Sequence, residues 1–164
     1  MNPATASPAG RPASPVDERS FGHAWLAMTA ALALHISDEA SHDFLSVYNP
    51  AVVALRERLS WLWLPTFTFA TWMAGLILGL LALLALAPTA FRGRTWLRRL
   101  AWPFAILMFG NGLGHLLGSL WWGRLLPGIY SSPFLLAAAA YLFVSAWRGR
   151  PHGRNTPPVF SPAS

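Results

Sequence analysis

The chain has no cysteine among its 164 residues. Disulfides, thiolate metal ligands and cysteine nucleophiles are thereby excluded. Lysine is also missing, so all twelve basic residues are arginine and the net charge of +6 rests on arginine alone. We read that one-sided usage as the base-composition bias of a GC-rich bacterial genome. The arginines do not gather into a dense patch interleaved with aromatics, which argues against a nucleic-acid partner. Charged residues of either sign make up only 11% of the chain, well under the roughly 25% of ordinary soluble domains. The length suits one domain.

Apolar residues are abundant instead, at 54%, with nine Trp and ten Phe. They fall into four runs: Phe21 to Phe44, Trp61 to Ala87, Trp96 to Trp122 and Ile129 to Trp147. Each approaches or exceeds the ~20 residues a helix needs to cross a bilayer. The expected fold is therefore all-α, an integral membrane four-helix bundle over residues 21–148 with disordered N- and C-terminal tails. Residues 1–20, "MNPATASPAGRPASPVDERS", are rich in Pro, Ala and Ser. They lack the basic stretch running into an apolar one that a signal peptide needs. Residues 149–164 are broken by Pro and Gly. Between the first two runs, "LSVYNPAVVALRERLS" reads as an interfacial amphipathic helix begun by Pro50.

Arginine placement orients the bundle. Arg92, Arg94, Arg98 and Arg99 lie between the second and third runs, and the tails add Arg11, Arg19, Arg148, Arg150 and Arg154. The other side has Arg56, Arg58 and Arg124. Positive residues favour the cytoplasm, so both termini are expected there, in the inner (cytoplasmic) membrane of a bacterial cell.

Against this background one stretch stands out. "HISDEASHD", residues 35 to 43, places two histidines and three acids at the outer end of the first run. At 100° per residue, His35, Asp38, Glu39, His42 and Asp43 share one broad helix face. The third run carries "FGNGLGHLLGSLWW", with Asn111 and His115 four residues apart on one face. The link "GRLLPGIYSSP" adds Pro127, Gly128, Tyr130, Ser131 and Ser132 at the same end. Three separate stretches thus put polar groups at one depth. Ionisable groups in a span cost roughly 2.5–3.5 kcal/mol each at the helix centre and usually mark function. The alternative for Glu39 is a plain ion pair with Arg124 or His115; for Asn111 it is interhelical glue, and for Ser131 a helix cap. Gly110, Gly114 and Gly118, and Gly75 and Gly79, repeat at the four-residue spacing that lets helices pack closely.

"HISDE", then "NGLGH", then "PGIYSS" resemble in order the motifs of the HXXEE-domain family of small integral membrane proteins. His35 and Glu39 match the first motif, with Asp38 where the family has its first Glu. Asn111 and His115 match the second, and Pro127 and Gly128 the third. The resemblance covers about Ala24 to Trp147. It implies the fold and the site, while the family has no assigned reaction.

Neutral imidazoles and carboxylates suit zinc, iron or manganese. His35 and Glu39 could chelate from one helix and His115 complete a three-ligand metal set. Asp38 would then serve as base, with Asn111 and Tyr130 polarising a carbonyl or phosphoryl oxygen, in a membrane hydrolase or transferase reached by a lipidic substrate from the bilayer. Two other classes stand beside this: a binding or scaffold module, holding haem through His35 and His115, and a proton- or ion-conducting bundle. The dry inner stretch "GLILGLLALLALA" counts against a through-path.

Overall fold

The computed structural model describes residues 15–148. They form five helices, α1 (Pro15–Ser41), α2 (Phe44–Arg58), α3 (Phe69–Phe91), α4 (Thr95–Trp122) and α5 (Ser132–Arg148), with no strand among the described residues. The two expected tails lie mostly outside this range. Pro15–Ser20 are the exception and correct the boundary: they form the first turns of α1, where Pro15 suits the first helical position. Asp17 and Glu18 sit in that first turn, as the helix dipole favours.

Two helix starts differ from the sequence reading. Helix α2 begins at Phe44 and carries Pro50 inside it; the chain breaks from α1 at Asp43, which adopts left-handed φ 53°. The second apolar run is helical only from Phe69. Trp61–Phe67 stay outside helix because Pro65 restricts the chain, and Thr68 caps α3 by accepting from the Thr71 N–H.

Helix α1 packs between α3 and α5, and α4 packs on α5, while α3 and α4 barely touch. The core is apolar: Phe21, Trp25 and Met28 of α1 meet Leu97, Ala101 and Ala105 of α4 and Leu135, Ala139 and Leu142 of α5. Small residues let α4 and α5 approach, but not those of the four-residue repeat. Gly112 is the seam; a Cβ there would lie 3.2 Å from the Ser132 carbonyl. Gly75, Gly79, Gly110 and Gly114 have no atom within 4 Å of such a Cβ, so the expected close packing at these positions is absent.

By length and composition α3 and α4 are apolar enough to cross a membrane. Ile77, Leu78, Leu81 and Leu84 of α3 are exposed, and clustered exposed apolar side chains mark membrane or protein contact surfaces.

Arg98, read above as a loop arginine, is instead buried in the first turns of α4. Its guanidinium donates to the carbonyls of Ser145 (2.9 Å), Asp17 (3.0 Å) and Gly93 (3.4 Å). Its Cζ also sits 4.5 Å from the centroid of the Phe21 ring. One side chain thus ties α1, α4 and α5 together. Arg98→Ala should destabilise the protein by about 3 kcal/mol, since it strands buried carbonyls. Arg98→Lys should recover only part of that, because an ammonium cannot fork to separate acceptors. Thermal melts in detergent read both.

Candidate metal centre

The last two turns of α1 deliver His35, Asp38 and Glu39 inward, and α4 delivers Asn111 and His115 to meet them. His35, Glu39 and His115 are all buried. Glu39 Oε1 lies 3.1 Å from His115 Nε2 and 3.5 Å from His35 Nε2. The two imidazoles meet edge to face, with ring centroids 4.8 Å apart. The group could hold a metal ion: one ligand atom from each residue, all within 4.8 Å of one another.

The spacing fits. Zinc bonds of about 2.0–2.1 Å at tetrahedral angles put neighbouring ligand atoms about 3.3 Å apart. The two observed carboxylate–imidazole separations bracket that value. A porphyrin has no room between these imidazoles. Edge-to-face contact, Glu39 beside both Nε2 atoms and Gly128 against both rings fill the space.

Hydrogen bonds behind His35 decide its tautomer. Ser131 N donates to Asp38 Oδ2 (2.9 Å), and the Ser131 hydroxyl donates to the same oxygen (2.8 Å). With its one proton used there, Ser131 Oγ is an acceptor for His35 Nδ1–H, 2.8 Å away. The lone pair of His35 then sits on Nε2, where the Asn111 amide Nδ2 approaches to 3.1 Å. Orientation of a ligand histidine by a carboxylate behind it is the usual support of a metal site. Here a serine is interposed.

The turn Pro127–Ser131 forms the lid over the cluster. Gly128 has φ +88°, and a Cβ on it would stand 2.9 Å from His35 Cε1, 3.0 Å from His115 Cε1 and 3.1 Å from Glu39 Cγ. Only glycine can pass so close in that conformation. Its carbonyl accepts from the Ser132 hydroxyl (2.7 Å) and the Ser132 N–H (3.1 Å), which starts α5. Phe44, at the start of α2, sets its ring 5.9 Å from that of His115.

Of the residues named from the sequence, the structure brings together His35, Asp38, Glu39, Asn111 and His115. Glu39 pairs with His115 and not with Arg124, which is exposed. Asp38 faces Ser131 and His42, whose Nδ1 is 2.9 Å from Asp38 Oδ1. Tyr130 is set outside, 60% exposed, its ring 5.5 Å from that of His42. Asp43 is spent on the turn into α2. The sequence offers Ser131 only as a cap; nothing in "YSSP" marks it as the link between His35 and Asp38 of α1.

No family model matches the chain, no curated protein matches it, and no solved structure matches it.

The lid yields a paired test. Gly128→Ala should lower zinc affinity at least about tenfold by pushing into three ligand side chains. Gly123→Ala is also at positive φ (+61°) but has open space around it. It should cost only the backbone strain of about 1–2 kcal/mol and bind zinc normally. Titration calorimetry on the two variants compares them.

Proposed function

We propose that this chain is a multi-pass membrane enzyme whose His35–Glu39–His115 cluster holds a divalent metal and performs hydrolysis or group transfer on a lipidic substrate. The observation that carries the reading is three buried ligand groups at metal-ligand spacing inside a bundle whose exterior is apolar. In this reading α1, α3, α4 and α5 cross the bilayer and α2 lies along its outer face. Exposed Leu26 and Leu34 on α1 and Phe134, Val144 and Trp147 on α5 support spanning by the two helices that are less uniformly apolar. The 17 residues of α5 reach about 26 Å, short of the ~30 Å core, and leave the Pro127–Ser131 lid within the membrane's outer edge. The arginine asymmetry favours cytoplasmic termini in a bacterial inner membrane. The motif order His35/Glu39, Asn111/His115, Pro127/Gly128 supports kinship with the HXXEE-domain proteins.

Zinc, iron or manganese suits the donor set, and such an ion, when bound, supplies a Lewis acid. The chain's own residues do the rest. Asp38, through Ser131, holds His35 in the tautomer that presents Nε2. Asn111 Nδ2 donates to His35 Nε2 and, once an ion takes that lone pair, is released to orient a substrate oxygen. Gly128 and Phe44 exclude water.

The other two readings have less behind them. The interior below the site is Trp25, Met28, Ala105, Leu135 and Leu142 down to Arg98, a dry plug that interrupts any proton path.

The test is metal content of detergent-purified protein after zinc loading and desalting. Wild type should retain about one zinc per chain. His35→Ala, His115→Ala and Glu39→Gln should retain almost none while remaining helical and monodisperse. Ser131→Ala should still fill at saturating zinc, with affinity about 10–100-fold lower, as loss of an outer-shell partner does. Wild type free of zinc, or variants that load like wild type, would remove the metal reading.

A further inference from the structure

Between α2 and α3 runs a groove of about 340 Å³, lined by Phe44, Tyr48, Phe67, Trp72, Gly75 and Leu76. Its walls are fixed from behind. Asn49 donates to the Phe67 carbonyl (2.9 Å) and accepts from the Phe67 N–H (3.0 Å). The Tyr48 hydroxyl donates to the Pro65 carbonyl (3.1 Å). The rings form a stacked series, Phe44 on Trp72 (5.8 Å) and Tyr48 on Phe67 (6.0 Å).

Phe44 is shared between this groove and the metal centre, since its ring also contacts His115 at 5.9 Å. A single aromatic ring therefore separates the two. The lining is mainly apolar, and the protons of its two hydroxyls are already used. The Tyr48 hydroxyl is committed to Pro65, and the Thr71 hydroxyl donates to the Thr68 carbonyl (3.0 Å). A peptide strand would find no partners for its backbone, and a helix about 10 Å across would not fit. Gly75 leaves the middle of the groove open, with no atom within 4 Å of where its Cβ would stand. Further along α3, Ile77, Leu78 and Leu81 are exposed on its other faces, so the helix that walls the groove is itself suited to an apolar medium.

We propose that this groove seats the acyl chain of the lipid substrate, with the polar end of that lipid directed past Phe44 to His115 and Glu39. The assignment rests on reading the cluster as a metal centre and adds where the substrate's hydrocarbon lies. Discrimination between acyl lipids then comes from Gly75 and the rings of Phe44 and Trp72, not from the metal ligands.

The experiment photolabels the purified full-length chain with a lauroyl amphiphile bearing a chain-terminal diazirine, and maps the labelled peptides by mass spectrometry. Two variants place the same side chain one turn apart: Gly75→Leu inside the groove and Gly79→Leu, which also has open space, outside its lining. Labelling should concentrate on α2 and the start of α3, fall at least about tenfold in Gly75→Leu, and persist in Gly79→Leu, with zinc content equal in all three. Labels spread evenly over the outward faces of α1, α4 and α5, or equal labelling in both variants, would overturn the proposal. So would a dimer in native mass spectra whose groove peptides are shielded, because a second copy would then be the occupant. Selective, Gly75-sensitive labelling of a protein that takes up no zinc upholds the acyl site and removes the metal reading alone.

Discussion

A carboxylate and two imidazoles buried among apolar helices are tolerable only if they answer one another. Glu39 Oε1 stands 3.1 Å from His115 Nε2, and His35 is held by Asn111 at Nε2 and through Ser131 to Asp38 at Nδ1. Remove any member and a buried polar group loses its partner, at a cost of several kcal/mol in a low-dielectric setting. That mutual dependence joins side chains of α1 and α4. The rest of the outer half is arranged around it. The lid must be glycine because it runs against the cluster, and α5 must start at Ser132 because the same turn's carbonyl caps it.

The opposite end of the bundle is organised by a different polar device. Arg98 gathers carbonyls from the start of α1, the end of α5 and the turn before α4. Between the two lies a dry core of Phe21, Trp25, Met28, Leu135 and Leu142. The bundle is thus clamped at one end and chemically equipped at the other. Away from the cluster, α3 barely touches α4, and Gly75 and Gly79 of α3 and Gly110 and Gly114 of α4 have open space around them.

Much of the cluster was legible before the fold. His35 and Glu39, and Asn111 and His115, are each four residues apart, so helix geometry alone puts each pair on one face. Counting arginines puts both pairs at one depth. What the sequence could not convey was contact across helices. Ser131 matters because α5 brings it beneath His35, and an ordinary serine before a helix carries no mark of that. Tyr130, its neighbour, points away for the same reason that Ser131 points in: adjacent residues at a helix start diverge by about 100°. The glycine repeats misled because spacing indicates a smooth face but not whether another helix lies on it. Pro50 suits a helix start by its fixed φ yet lies inside α2, and Pro65, embedded in an apolar run, gives no sign by hydropathy that α3 begins only at Phe69. Arg98 looked like a loop charge because burial of its guanidinium depends on carbonyls far away in sequence.

The central claim is that residues from α1 and α4 ligate one ion together. X-ray absorption at the zinc edge of the loaded protein tests it most directly. The account expects a first shell of nitrogen and oxygen only, at about 2.0–2.1 Å, with the multiple-scattering pattern of two imidazoles. That pattern should drop to one imidazole in whatever zinc His115→Ala retains. A shell of oxygen alone, or an imidazole count unchanged by His115→Ala, would contradict it.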